Sequence, residues 1–324
     1  MNLPRALTLH TVLAAICLGS WQCASPGQKG PSAAQELSST PETAGARRLT
    51  DSSADQLAPA FSADGTRLIF QSNTDGNWEL YTLSLADGRS QRLTDTPELE
   101  EDPSWSPDGK LVICTTHAPT LDQDAPRDIL VMDADGRNRH LLAAHGADDF
   151  CPRFSVDGAS VFFISDRVDT RKDVSEDARQ TAVFRYVLAE DRLEQLTEAA
   201  TWSQPLPTAT GLALRADNHS LVWLQGTDFQ AAIADSGMIL GQADYLASQG
   251  WIVSQLSEEA DGRLRWRPNG STSWKDWPLE GRDAEWTPAF APDGSQLVFA
   301  GRDRGQWDLY LRTLPAPAPE LPVK

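Results

Sequence analysis

The sequence predicts an all-β protein, a six-bladed β-propeller made of four-stranded antiparallel blades. The first observation is a recurring segment of proline, an aromatic residue two positions later and an Asp-Gly turn, with close copies ending at Gly65, Gly109, Gly158 and Gly294. Weaker copies end at Gly211 and Gly250. The second observation is the spacing of these six glycines. They recur every ~40–50 residues, which is the length of a four-stranded blade.

The order of strands inside a blade follows from the first copy. Residues 59–62 predict a short inner strand, which the Asp-Gly turn reverses into a β-branched and aromatic strand at 68–70. A third strand is predicted at 78–83 and a fourth at 91–94, with a second Asp-Gly turn between them. Each repeat therefore has the pattern of one blade.

The two ends of the repeated region predict how the ring closes. Residues 47–50 have the pattern of an outer strand without a blade of its own, whereas the last unit stops after its third strand, at 307–314. Pairing the two removes an exposed strand edge that would otherwise promote aggregation. We therefore predict a propeller over residues 47–314, in which an N-terminal strand completes the last blade.

The repeat resembles that of a known family. It combines a Leu-Thr strand end, the turn described above and a strand with the sequence Asp-Gly-Asn-Trp-Glu-Leu-Tyr at 75–81. This pattern is similar to the WD40-like (PD40) repeat of the TolB β-propeller, closely in units 59–94, 103–142 and 288–314, well in 152–197 and in outline in 205–280. TolB proper also has an α/β domain ahead of its propeller, and we expect this chain to match the propeller alone.

This resemblance implies a place in the bacterial cell envelope and a non-enzymatic role as a scaffold that binds a protein or peptide. The charge agrees with a partner other than nucleic acid. The formal net charge is −18 and the isoelectric point is about 4.6. Because phosphate binding requires basic patches that release counterions, nucleic acid is excluded as a partner.

The N-terminus has the features of an export signal. Residues 1–23 combine Arg5 with a mostly apolar run from Leu7 to Gly19, which is short for a membrane span. Cys23 stands where a lipoprotein would be acylated, and residues 24–46 have the composition of a flexible linker. We predict a periplasmic protein or an outer-membrane lipoprotein, with ordinary secretion as the alternative, and a disordered tail at 315–324.

Two cysteines, Cys114 and Cys151, fall within the predicted blades. They lie on neighbouring blades, so a disulfide in an exported protein is one interpretation. The other is two small buried hydrophobic side chains, since Cys114 aligns with Phe70 of the first repeat. We favour burial.

The candidate partner-binding face is the end of the ring where the inner strands begin. Five acidic residues fall close before or at an inner-strand proline, and the fold is expected to gather them around the channel: Glu101, Asp102, Asp148, Asp149 and Glu285. Trp202 and Trp286 are candidate exposed anchors there, with Arg302 and Arg304 further out. Unpaired like charges would attract a basic partner. The alternative is an ordinary solvated acidic surface.

Catalytic motifs are lacking. The sequence has no Gly-x-Ser-x-Gly elbow, no His-x-x-x-His pair and no glycine-rich phosphate loop. We therefore predict a monomeric binding protein without catalytic residues, cofactor or metal ligands. The alternative is an extracytoplasmic enzyme or carbohydrate-binding protein that uses the acidic central face, with a divalent metal held by its carboxylates.

Overall fold

The fold is taken from a computed structural model of the chain. It describes residues 45–119, 125–171, 179–209, 211–216, 220–225, 228–234, 239–256, 262–268, 273–277 and 280–314. Within these ranges there are strands and turns but no helix, and hence no helix able to cross a membrane. The predicted signal at 1–23 with Cys23, most of the linker at 24–46 and the tail at 315–324 lie outside the described residues.

The described strands form six four-stranded antiparallel sheets, as the sequence predicted. Blade 1 comprises β2 (Gln56–Phe61), β3 (Arg67–Ser72), β4 (Glu79–Ser84) and β5 (Ser90–Arg92). Blade 2 comprises β6 (Leu99–Trp105), β7 (Leu111–His117), β8 (Asp128–Asp133) and β9 (His140–Leu142). Blade 3 comprises β10 (Asp149–Phe154), β11 (Ser160–Ser165), β12 (Ala182–Val187) and β13 (Arg192–Gln195).

The second half of the ring repeats the same order. Blade 4 comprises β14 (Trp202–Thr208), β15 (Gly211–Ala216), β16 (Ser220–Gln225) and β17 (Asp228–Ala234). Blade 5 comprises β18 (Ile239–Leu246), β19 (Gly250–Leu256), β20 (Gly262–Arg267) and β21 (Lys275–Asp276). Blade 6 comprises β22 (Ala284–Phe290), β23 (Gln296–Asp303) and β24 (Gln306–Thr313), joined by β1 (Arg47–Arg48).

The ring closes between the two ends of the repeated region, which confirms the predicted closure. β1 pairs with β24, with Arg47 opposite Leu311, and the amide of Leu49 donates to the carbonyl of Leu309 at 2.7 Å. The Arg48 guanidinium also pairs with the carboxylate of Asp308, whose side chain is 1% exposed. The last blade thus gains its fourth strand from the N-terminal side of the propeller.

Apolar side chains pack between blades rather than in one central core. Alternate residues of a strand point to opposite faces, so each blade can contact both of its neighbours. In β3, Leu68 and Phe70 pack against Val298 of blade 6, whereas Ile69 packs against Val112 of blade 2. The same arrangement recurs between every pair of adjacent blades in the described residues.

The Asp-Gly turns have a local structural role. In blade 1, Ser62 Oγ donates to Asp64 Oδ1 at 2.6 Å, and the Thr66 amide donates to the same oxygen at 3.1 Å. These hydrogen bonds lower the pKa of Asp64 to about 2. All six turn glycines predicted from the sequence have positive φ, from 68° at Gly65 to 151° at Gly211, which explains the preference for glycine.

The recurring Leu-Thr strand end fastens the third strand of its blade. Thr94 Oγ1 accepts a hydrogen bond from the Leu80 amide at 2.8 Å. Thr197 does the same for the Val183 amide at 3.0 Å. At the closure, Thr50 accepts from the Leu309 amide at 2.9 Å, so the motif also joins the two ends of the ring.

Cys114 and Cys151 are both buried and neither forms a disulfide, so the disulfide interpretation is not realised. Cys114 packs with Ile69 and Met132 between blades 1 and 2, whereas Cys151 packs with Val183 between blades 3 and 4. Each therefore belongs to a different apolar cluster.

Candidate functional site

The strand directions define two ends of the propeller. In each blade the inner strand begins where the second strand ends, as the pairing of Gln56 with Ser72 shows, and it ends at the turn that follows Phe61. We call the end where the inner strands begin the loop face, because the connections between blades and between second and third strands lie there. We call the opposite end, with the Asp-Gly turns, the turn face.

The inner strands that line the channel are bulged. In four blades the residue just before the inner-strand proline has positive φ: Ala58 at 49°, Asp102 at 51°, Cys151 at 53° and Thr287 at 49°. Each such conformation costs about 1–3 kcal/mol unless its surroundings stabilise it. Neighbouring blades supply this support, since Gln71 Oε1 accepts from the Asp102 amide at 2.9 Å and Thr287 Oγ1 accepts from the Ala58 amide at 3.3 Å. The channel wall is therefore preformed.

Asp148 and Asp149 are buried and paired, not free. Arg127 Nε donates to Asp148 Oδ1 at 2.7 Å; burial raises the pKa of Asp148, but the contact with Arg127 outweighs it and the pKa is lowered. Asp149 is 0% exposed and accepts from Arg167 at 2.5 Å. Here burial is the larger effect and raises the pKa of Asp149 to about 6.

Glu101 and Glu285 are also buried and paired. Glu101 lies 3.4 Å from His117 Nε2, and Glu285 Oε1 accepts from Arg282 at 2.6 Å. Burial raises the pKa of both carboxyl groups. The premise that these acidic residues lack partners is thus wrong. They belong to the first half of the inner strands, where side chains enter the contacts between blades instead of projecting into solvent.

Asp102 lies in the channel itself. Its Oδ1 accepts from Gln242 Nε2 at 3.4 Å. Asp102 belongs to blade 2 and Gln242 to blade 5, which stand opposite each other in a ring of six. This hydrogen bond therefore crosses the channel.

Of the predicted aromatic and basic residues, Arg304 is the most exposed. Trp202 is only 9% exposed and donates its indole N–H to the Glu198 carbonyl at 3.0 Å, so the expectation of an exposed anchor is wrong for this residue. Trp286 is half-buried and packs against Trp307 with ring centroids 4.5 Å apart. The Arg302 guanidinium lies over the same Trp307 ring, whereas the Arg304 side chain is 93% exposed.

The loop face carries other acidic residues that are exposed; among them, Asp51 pairs with Arg48, and Asp75 and Asp95 pair with Arg92. Exposed carboxylates occur in the connections that reach this face, and we call them the acidic rim: Asp51, Asp75, Asp95, Glu98, Glu198 and Asp283. Beside Glu198 lies a shallow groove of about 520 Å³ at the loop-face end of blade 3. It is lined by polar and apolar side chains that include His145, Val168 and Phe184. The exposed carboxylates of this face are thus different residues from the buried Glu101, Asp148, Asp149 and Glu285 that the sequence pattern predicted for it.

A second cavity, of about 200 Å³, lies in the channel. Its polar lining includes Arg153, Gln204, Gln242 and Asp244, and of these Arg153, Gln242 and Asp244 were not predicted as site residues. Aligning the repeats gives one signal, because the residue after the inner-strand proline is small at Ala60, Ser104 and Ala289 but is arginine at 153. Among the residues described, no three His, Cys, Asp or Glu side chains are grouped so that they could hold a metal ion.

The architecture defines the class of the protein. A closed ring of six four-stranded blades with a preformed channel is a six-bladed β-propeller. Among solved structures, the oligogalacturonate lyase of Vibrio parahaemolyticus superposes with a TM-score of 0.55 at 13% identity, covering 83% of this chain and 93% of that chain. At this identity the likeness shows the fold alone.

The sequence comparisons are more specific. Residues 40–119 match the family described as PD40, TolB beta propeller domain. The protein TolB homolog of Chlorobium luteolum is 32% identical over 120 residues, 37% of this chain and 26% of the relative. The uncharacterized peptidase YuxL of Bacillus subtilis is 38% identical over 78 residues, 24% of this chain and 11% of that protein. The propeller of this chain is thus similar to that of TolB over residues 40–119, and the matched segment spans about a quarter of the TolB homolog.

Proposed function

We propose that this propeller is a non-enzymatic scaffold that binds a protein or peptide through its loop face. The observation that supports this most is the groove of about 520 Å³ at blade 3, open to solvent beside the exposed Glu198. Phe184 and Val168 offer apolar contact there, while His145 and Glu198 offer polar contact. Recognition surfaces of proteins combine these two kinds of contact, with polar groups at the edge.

The rigidity of the face supports binding of a partner without rearrangement. Arg167, which lines the groove, is fixed by Asp149 and lies over the Phe184 ring at 4.9 Å from its centroid. A preformed surface loses little conformational entropy on binding. The acidic rim favours a basic partner, because opposite charges accelerate association, and the effect weakens with salt.

The similarity to TolB homologues supports a periplasmic place in the bacterial envelope, with an envelope protein or peptide as partner. Export through residues 1–23 and acylation of Cys23, giving an outer-membrane lipoprotein, complete the proposal. If Cys23 is acylated, the native protein partitions into detergent and Cys23→Ser releases it as a soluble species. Equal partitioning of the two forms supports plain secretion instead. We also propose that the chain is a monomer, since the ring closes on itself.

A second candidate function is an extracytoplasmic enzyme or carbohydrate-binding protein. The contact of Glu101 with His117 favours it, since a buried carboxyl group of raised pKa beside an imidazole can exchange protons. Melting temperatures with divalent cations and with acidic oligosaccharides discriminate the two functions, because a ligand that binds only the folded state raises stability. A shift that Glu101→Gln abolishes supports this second function.

The main experiment compares charge reversals on the two faces. Glu98→Lys with Asp283→Lys changes the acidic rim, and Asp87→Lys with Glu190→Lys is the matched control on the turn face, since all four residues are exposed. Partners captured from an envelope extract are purified, and their association rates with each variant are measured at low and physiological salt. We expect the rim variant to bind several-fold more slowly at low salt and the control to match the wild type. Equal rates for both variants contradict binding through the loop face.

A further inference from the structure

The channel cavity lies at the inner-strand bulges and on their turn-face side. Its lining consists of residues at or after the inner-strand bulges, such as Ser104, Leu206 and Phe290, which are on the turn-face side of each bulge. The cross-channel contact between Asp102 and Gln242 involves the residues at or before the bulges. The cavity therefore lies in the turn-face half of the channel, with Gln242 of the cross-channel contact in its lining.

Arg153 places a positive charge in this compartment. The side chain is half-buried, and its Nη1 donates to the Pro152 carbonyl at 2.7 Å. Within the described ranges, this is its only hydrogen bond and it forms no ion pair. The buried guanidiniums of Arg127 and Arg282, by contrast, are neutralised by Asp148 and Glu285. A partly desolvated cation without an anion in direct contact favours a ligand that brings one.

Asp244 places a negative charge in the same compartment. Its two carboxylate oxygens accept from the backbone amides of Tyr245 and Phe290, each at 2.8 Å. Burial raises the pKa of this carboxyl group to about 6, and the positive charge of Arg153 acts in the opposite direction. The two backbone amides also act in that direction and favour the carboxylate form. Although both groups line one cavity, they do not form an ion pair with each other.

We propose that the turn-face half of the channel binds a free α-amino acid, with the ligand carboxylate on Arg153 and its ammonium group on Asp244. Two opposite charges held apart in one cavity match a small zwitterion better than a simple anion, which Asp244 would repel. The volume of about 200 Å³ suits a small metabolite, since pockets for larger ligands begin at about 300 Å³. Pro59, Pro288 and Leu206 supply apolar wall for an aliphatic side chain.

The test uses the full chain and isothermal titration calorimetry with L-alanine, acetate and ethylammonium as probes. We expect L-alanine to bind at least roughly tenfold more tightly than either singly charged probe, since hydrogen bonds to charged groups are the stronger kind. Arg153→Gln and Asp244→Asn should each weaken the binding of L-alanine by a similar factor, roughly tenfold or more. Arg185→Gln is the matched control, because Arg185 lies in the same blade but pairs with Glu194 outside the channel.

Two blocked ligands test the proposal on the wild-type chain, so the result does not depend on whether a variant folds. With the wild-type chain, N-acetylalanine removes the ammonium group and alanine methyl ester removes the carboxylate, so both should bind at least roughly tenfold more weakly than L-alanine. Equal binding of alanine and either blocked probe overturns the proposal, as does the absence of alanine binding. Glu98→Lys with Asp283→Lys should leave alanine binding unchanged, so failure of this proposal and failure of the loop-face proposal are distinguishable.

Discussion

Blade 1 and blade 5 are both four-stranded antiparallel sheets of one ring, but they share few motifs. Blade 1 has the Ser62 and Asp64 turn and the Thr94 fastening. In blade 5 the turn ends in Gln249-Gly250, and Gln249 Nε2 donates to the Gly294 carbonyl of the next blade at 2.6 Å. The same architecture is thus compatible with different turn chemistry.

What the two blades share is the alternation of buried apolar side chains. In β19, Trp251 and Val253 pack against blade 4, whereas Ile252 packs against blade 6. In β3, Leu68 and Phe70 pack against one neighbour and Ile69 against the other. The comparison indicates that packing between blades maintains the fold, while the recurring motifs refine it. It also shows where the chemistry differs, because blade 5 contributes Gln242 and Asp244 to the channel and blade 1 contributes Ala58 and Ala60.

The largest expected effect tests this idea directly. Phe70→Ala in blade 1 and Trp251→Ala in blade 5 remove side chains that are 1% and 5% exposed. Each should lower the free energy of unfolding by about 3–5 kcal/mol, measured by urea denaturation. Leu141→Ala is the control, since Leu141 is 46% exposed and its change should stay within about 0.5 kcal/mol. A much smaller loss for Trp251→Ala than for Phe70→Ala would show that the two blades are not stabilised alike.

The closure offers the next largest effect. Deleting residues 1–50 removes β1 and leaves Asp308 without Arg48 and Thr50. Loss of one partner of a buried pair costs about 3–5 kcal/mol, and we expect the lower end, about 3 kcal/mol, because the Arg48 side chain is 37% exposed. Deleting residues 1–44 retains β1 and should leave the unfolding midpoint unchanged. Equal midpoints for the two truncations would rule out a stabilising role of the closure.

The sequence predicted the ring well where residues repeat and the site poorly where they do not. The six turn glycines located every blade, including blades 4 and 5, because a backbone position with positive φ strongly favours glycine. The acidic residues before the prolines were identified as surface, because a local pattern does not show that Asp148 meets Arg127, which is 21 positions away. Arg153 was missed because its importance depends on residues of several blades that line one cavity.

A pH effect is expected at the junction of blades 1 and 2. Glu79 is 0% exposed and Glu100 is 1% exposed, and the two carboxyl groups interact. Burial raises the pKa of Glu100 from 4.5 to about 7; the Thr96 hydrogen bond opposes this and the Glu79 charge adds to it. The folded state thus holds a proton that the unfolded state releases between pH 4.5 and about 7.

Stability should therefore fall as the pH rises through this window, by at most about 3 kcal/mol, and level off above pH 7. Glu100→Gln imitates the protonated acid and should remove this part of the pH dependence. Denaturation midpoints of both forms, measured from pH 5 to pH 8, provide the check. Asp244→Asn serves as a second comparison, because burial also raises the pKa of Asp244, to about 6. Parallel pH curves for the wild type and Glu100→Gln would contradict the uptake of a proton by Glu100 on folding.

The smallest expected effect concerns the Asp-Gly turn motif, which adds to the stability that packing between blades provides. In blade 2, Ser106 Oγ donates to Asp108 Oδ1 at 2.7 Å and accepts from the Leu111 amide at 2.9 Å. Blade 6 has Ala291 at the equivalent position, and there Ser295 Oγ donates to Asp293 Oδ1 at 2.7 Å instead. Ser106→Ala should therefore lower the free energy of unfolding by only about 1 kcal/mol, the net value of a hydrogen bond.

Blade 6 also suggests how to recover part of this loss. Lys110 occupies the position of Ser295, so adding Lys110→Ser to Ser106→Ala supplies the hydroxyl that blade 6 uses. The double variant should be more stable than Ser106→Ala alone, whereas Lys110→Ser by itself should change little, because the Ser106 hydroxyl already bonds to Asp108. Urea denaturation of the three variants forms a double-mutant cycle. If Ser106→Ala instead lost about 3 kcal/mol, the turn would be essential to the stability of the blade, and packing between blades would not be sufficient.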